Sequence, residues 1–202
     1  VRRAFALAVC AAALAGCRSD NYGLVNIERR SPRIVREVRY ATADNFTHKA
    51  VYDRAECWLN GVAAARLDAV QKELEAQGLG LKVWDCYRPL SVQKKFWALV
   101  PDERYVANPA KGSRHNRGAA VDLTLVRADR TELPMPTAYD DFTTRAHRDF
   151  KHLPADVLAN RALLEKVMVK HGFVPLPTEW WHFDSEGWES FPIMDIDFSR
   201  LR

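Results

Sequence analysis

The ten residues Ser113-Arg-His-Asn-Arg-Gly-Ala-Ala-Val-Asp122 constrain this chain more than any other stretch, because they set an imidazole and a carboxylate at the two ends of a turn containing glycine. Beyond the turn, Ala119 to Leu125 reads as a strand, with Val121, Leu123 and Leu125 on one face and Ala120, Asp122 and Thr124 on the other. Asp122 therefore points away from the apolar face. A carboxylate on the small-residue face of an otherwise apolar strand must be paired, hydrogen-bonded or bound to a metal, since an isolated buried charge is very costly. Taken alone, Asp122 fits a cap on a neighbouring turn as well as a metal ligand.

A second cluster, Glu179-Trp-Trp-His182, sets another carboxylate and imidazole among large aromatics. Catalytic zinc sites commonly have three protein ligands and an open position, with a separate carboxylate nearby as general base. His115, Asp122 and His182 supply such a ligand set, and Glu179 supplies the base. Strict strand alternation would put Glu179 and His182 on opposite faces, so Glu179 is expected to reach in from the preceding turn or from a bulge. Trp180 and Trp181 read as packing residues that exclude water.

Two further polar groups stand out. In Asp85-Cys-Tyr-Arg-Pro89 the residue before proline is held extended, which sets the direction of the Arg88 guanidinium. That permanently charged fork can bind a developing oxyanion; a surface pair with Asp85 is the alternative. Downstream, Asp140-Asp141 lies between Tyr139 and Phe142, an arrangement that suits an amine or, equally, an ordinary solvated loop.

Taken together, Ser-x-His-x-x-Gly-x-Ala-x-Asp followed by Glu-x-x-His, with Asp85-Cys-Tyr-Arg-Pro89 upstream, resembles the VanX-type zinc D-alanyl-D-alanine dipeptidases. The likeness also takes in Asn45-Phe-Thr and the segment from Met135-Pro136 to Phe142, and so spans most of the chain from Tyr40 to Trp188. It implies one zinc ion on His115, Asp122 and His182, with Glu179 as base and Arg88 at the reacting centre. It also implies Asp140 beside the amino group of a small dipeptide and Ser113 beside its carboxylate. Preference for D-alanine rests on the resemblance alone. A zinc DD- or LD-carboxypeptidase trimming longer peptidoglycan peptides shares the His, Asp, His set. An inactive zinc-containing wall-binding lipoprotein would gain ground if the base or the arginine were missing, and both are present.

The N-terminus is of another kind. Arg2-Arg3 followed by an apolar run from Ala4 to Ala15 has the n-region and h-region of a secretory signal, too short to span a bilayer. Leu14-Ala15-Gly16-Cys17 looks like a bacterial lipobox, so 1–16 is expected to be a signal peptide and Cys17 a lipid site; a buried N-terminal helix is the plain alternative. Residues 17–36 would then tether a dipeptidase domain over 37–202, held at a bacterial membrane and facing the periplasm or the cell exterior. Loss of Arg2 and Arg3 brings the net charge of +4 close to neutral, which gives no reason to propose nucleic acid. Cys57 and Cys86 are left in an oxidising compartment, where disulfides persist; a bridge between them and two free thiols stand as equal alternatives. Export points to wall turnover or recycling of released dipeptide and away from antibiotic resistance.

The expected fold is α+β, a small, mainly antiparallel sheet with packed helices and the zinc cleft at the sheet; regular βαβ alternation is absent. Apolar spacing predicts helices over Arg54 to Gln77, from a Ser91 cap to Leu99, and over Arg161 to His171, with His171 exposed and no ligand. Strands are expected over Leu81 to Cys86 and Trp180 to Asp184, with a hairpin-like turn near Arg127 to Thr131. A helix starting at Arg54 and a strand ending at Cys86 would leave the two cysteines too far apart to bond. A bridge requires the helix to begin after Cys57, or Cys86 to sit beyond the regular strand.

Overall fold

In a computed structural model, which describes residues 22–202, the chain is α+β. The expected signal segment and the lipid-site Cys17 lie outside the described residues. A five-stranded sheet runs in the order β2 (Val35–Arg36), β4 (Leu79–Asp85), β5 (Ala120–Arg127), β7 (His182–Ser185), β6 (Phe173–Pro175). Every pairing is antiparallel except β2 with β4. A second, two-stranded sheet joins β1 (Leu24–Asn26) to β3 (Trp58–Asn60).

The segment expected to be a tether is corrected over its described part. Leu24, Ile27 and Ile34 are buried, β1 and β2 pair with β3 and β4, and α1 (Ile27–Arg30) is capped by the Asn26 side chain. Polar and basic composition hid these apolar anchors, which are spaced too widely to form a periodic run.

Helix α2 (Gly61–Glu75) begins later than the apolar spacing suggested. Asn60 ends the extended stretch by accepting the Ala63 amide at 2.8 Å, while Trp58 and Leu59 are buried from within β3. Helix α3 (Leu90–Leu99) starts directly after Pro89, and the Ser91 amide is taken by Asp195 Oδ1 at 2.8 Å, so Ser91 is no cap. Val92 and Phe96 point inward as expected, but Leu99 is exposed. Helix α4 (Ala155–Lys170) begins six residues earlier than expected. His171, at its end, pairs with Glu73 of α2 at 2.7 Å. Apolar side chains of α2 and α4 pack on Val121, Leu123 and Leu125, leaving Asp122 on the opposite face, as strand alternation requires.

The cysteine question is settled by the helix start. Cys57 precedes β3, Cys86 follows β4, their Cα atoms are 5.3 Å apart, and the sulfurs are bonded. Closing a 29-residue separation stabilises by about 3 to 4 kcal/mol in the chain-entropy account. Replacing both cysteines by serine is expected to lower Tm by roughly 7 to 15 °C. Thiol counting on unreduced protein checks the bridge itself, and free thiols at both positions would refute it.

Candidate active site

The site begins with strand register. Asp122 of β5 stands directly opposite His182 of β7 and opposite Asp85 at the end of β4, so these side chains form a row across the sheet. A register shift between Val83 and Asp85 is what brings Asp85 level with Asp122. His115 enters from a single turn of 3-10 helix, His115–Arg117, which stops at Gly118 in the left-handed region with φ 58°. A Cβ there would lie 3.0 Å from the Asn60 amide nitrogen, so both backbone angle and space call for glycine.

His115 Nε2, His182 Nδ1 and Asp122 Oδ1 face one another. The nitrogens are 3.3 Å apart, and Asp122 Oδ1 is 2.9 Å from His182 Nδ1 and 3.4 Å from His115 Nε2. Tetrahedral ligation at the usual zinc bond lengths needs ligand separations of about 3.3 Å. The outer nitrogens fix the tautomers. His115 Nδ1–H donates to the Cys86 carbonyl at 2.6 Å, and His182 Nε2–H donates to Asp184 at 2.9 Å. In the neutral rings, lone pairs and a carboxylate oxygen then converge with no proton between them. That donor set calls for a cation.

The electrostatics agree. Burial disfavours a charged His182, yet Asp184 and Asp122 outweigh it and push the imidazole up to about 10, so the site attracts positive charge, as a proton or as a metal. Burial raises Asp122, but the two histidines hold it far below the usual carboxylate range. Its second oxygen accepts from Tyr139 Oη at 2.9 Å.

Glu179 sits in the turn before β7, as alternation demanded, with Oε2 3.8 Å from His182 Nδ1. Burial, aided by Asp122 and Asp140, pushes its carboxyl up to about 8 against the opposing pull of His182 and Arg88. Asp140 is raised to about 7 by burial and by Asp122, and both of its oxygens lie within 3.2 Å of Tyr40 Oη. Arg88 takes the Asp85 partner that its alternative reading named, but not at the surface. It pairs with Asp85 through Nε and Nη2 at 3.0 and 2.7 Å, yet that pair is buried, and Phe96 lies beneath the guanidinium at 4.7 Å.

Arg88, Ser113, His115, Asp122, Asp140, Glu179 and His182 all line one cavity of about 300 Å³. The residues expected to hold the metal, carry the chemistry and bind the substrate are thus brought together there, while Cys57 and Cys86 lie outside it. Several supports were not read from the sequence. Asp184 had a legible signal, since His182-Phe-Asp184 puts both polar side chains on one strand face. Tyr40 and Tyr139 had none, because they reach Asp140 and Asp122 from 100 and 17 positions away.

A family model described as D-ala-D-ala dipeptidase, Peptidase M15, matches residues 20–196. A D-alanyl-D-alanine dipeptidase of Escherichia coli strain K12 is 36% identical over 181 residues, covering 90% of this chain and 94% of the relative. One of Enterococcus faecium is 34% identical over 193 residues, with 80% and 90% covered. This chain belongs to the peptidase M15 family. A solved LD-carboxypeptidase is similar only at 20% identity and TM-score 0.42, over 66% of this chain and 61% of that one, too remote to bear on the activity of this M15 member.

As a member of a metallopeptidase family with a matching donor set, the protein is expected to bind one metal ion per chain. Metal analysis should find it lost in His115→Ala and His182→Ala and retained in Glu179→Gln. Asp184→Asn, which weakens the hold on the His182 ring, is expected to cost about 10-fold to 100-fold in metal affinity, read by competition with a chelator.

Proposed function

We propose that this M15 peptidase is a zinc-dependent dipeptidase that hydrolyses D-Ala-D-Ala. The observation carrying the reading is the shared cavity, in which a metal-ligand triad, a raised carboxyl, a buried arginine and a second raised carboxyl converge. Bound to His115, Asp122 and His182, zinc would supply a Lewis acid that acidifies water and polarises the scissile carbonyl, and its charge would draw Glu179 down toward neutrality.

Glu179 is the proton carrier: it takes a proton from the attacking water and returns it to the leaving amine, work that suits a carboxyl titrating near the operating pH. Arg88 offers the oxyanion a charge that cannot be titrated away; Asp85 and Gln93 hold its fork in place beforehand, so no reorganisation is needed during reaction. Asp140 receives the substrate ammonium, whose charge restores the ionised carboxylate that burial disfavours. Ser113, which lines the same cavity, takes the substrate carboxylate. A pairing at each end of the ligand makes the cavity a ruler for a free dipeptide. A carboxypeptidase acting on longer peptides would have no use for Asp140 as an amine receptor.

The N-terminal reading belongs to the same proposal: export, a lipid on Cys17, and action on dipeptide released from the wall. The Cys57–Cys86 bridge supports it, since such bonds persist in oxidising compartments. Palmitate labelling that survives Cys17→Ser would dismiss the anchor.

Two outcomes test the chemistry. Glu179→Gln is expected to keep metal and lose at least about 100-fold in turnover. N-acetylated D-Ala-D-Ala, which leaves Asp140 desolvated and unpaired, is expected to be cleaved roughly 10-fold to 100-fold more slowly than the free dipeptide. Asp140→Asn should narrow that gap by slowing the free dipeptide most. Equal rates on the free and acetylated substrates would replace the dipeptidase with a carboxypeptidase.

A further inference from the structure

Arg88, Arg104 and Arg114 all line the cavity, and their guanidinium groups are not equally engaged. Arg88 is bound through both sides of its fork by Asp85 and Gln93. Arg104 is closed on Asp102 by several hydrogen bonds and is largely exposed. Arg114 makes no side-chain hydrogen bond among the described residues. Its one ion pair, from Nε to Asp184 Oδ2, is 3.5 Å long, beyond good hydrogen-bond range, and Nε is buried without another partner.

Its position is nonetheless held. The guanidinium carbon lies 4.6 Å from the Trp188 ring centroid, within cation–π range, and stacking on an aromatic face leaves the edge donors of an arginine free for planar, two-point recognition. The backbone is held as well: the Arg114 carbonyl accepts from Arg117 and Ala119 at 3.0 and 3.1 Å. Arg114 stands between Ser113 and His115, and all of them line the cavity. The acids there, Asp122, Asp140 and Glu179, would repel an entering anion. A neutral Ser113 hydroxyl, already accepting from the His115 amide at 3.2 Å, cannot offset that repulsion alone.

We propose that Arg114 binds the C-terminal carboxylate of the substrate, with Ser113 as its neutral partner, and so determines specificity for free-acid peptides. This rests on the dipeptidase reading and adds the residue that reads the far end of the ligand. It also divides the cavity by charge. Asp140, tied to Tyr40 beneath Arg88, takes the ammonium, while Arg114, tied to Asp184 behind His182, takes the carboxylate.

The test compares D-Ala-D-Ala with its C-terminal amide on the zinc-loaded full chain. Wild type is expected to favour the acid by about 10-fold to 100-fold in kcat/KM, the range for a charge-assisted pair. Arg114→Met should reduce that preference at least about 10-fold, chiefly through KM, with metal content unchanged. Arg114→Lys, which keeps charge and loses the fork, should retain part of it and serves if the methionine variant does not fold. A readout without turnover is equilibrium binding: D-alanine should bind wild type more tightly than D-alaninamide, and the variants should lose the difference. If Arg114→Met slows both substrates by one factor, or sheds metal, the residue acts only by orienting Asp184 and His182, and the proposal is overturned. A wild type indifferent to acid or amide overturns it too. Wild type that binds metal and cleaves neither substrate brings down the dipeptidase reading, and this proposal with it.

Discussion

The pairing of Asp122 with His182 across β5 and β7 is the constraint on which the rest of the site depends. Side chains alternate along a strand, so a slip of one residue would turn this row from the cavity face to the helix face and bury charge among leucines. The apolar residues prevent it. Val121, Leu123 and Leu125 can satisfy α2 and α4 only in the register that leaves Asp122 and His182 on the other side. Packing energy on one face therefore sets chemical geometry on the other. Asp184, two residues along the same strand face, comes into place behind His182 by the same rule.

Gathering several acids and two imidazoles in one buried place is costly, and the structure offsets the cost by giving the buried groups specific partners. Asp85 accepts from Tyr52, from the Cys86 amide and from Arg88. Asp122 is held by Tyr139 on one oxygen while the other faces the histidines. The ligand atoms are thereby aimed at a common point, at the price of leaving a cavity with excess negative charge. Such a cavity favours a metal ion, an ammonium and one loosely committed arginine.

The disulfide belongs to this support as much as to stability. Cys86 lies between Asp85 and Tyr87, its carbonyl holds His115, and its sulfur is tied to Cys57 at the entrance to β3. The Tyr87 amide donates to Trp58, and the Arg88 amide to His115. The turn bearing His115 is thus clasped to the end of β4 on one side and, through Gly118 and Asn60, to the start of α2 on the other.

What the sequence determined by itself was the chemistry and the local geometry. Residue types at His115, Asp122, Glu179 and His182 announce a metal and a base, strand alternation separates Asp122 from the core, and the same rule requires Glu179 to come from a turn. These are short-range properties, carried by neighbouring residues. Helix limits were less legible: Trp58 and Leu59 continue an apolar period through what is strand, because pairing with Val25 and Asn26, distant in sequence, overrides local preference. The folding of 24–36 into the domain, the placement of Tyr40 and Tyr139 against the buried carboxylates, and the freedom of Arg114 beside two arginines each paired with an acid were decided by tertiary structure alone. Each depends on which groups meet across long stretches of chain, and a spacing pattern holds no record of a partner that far away.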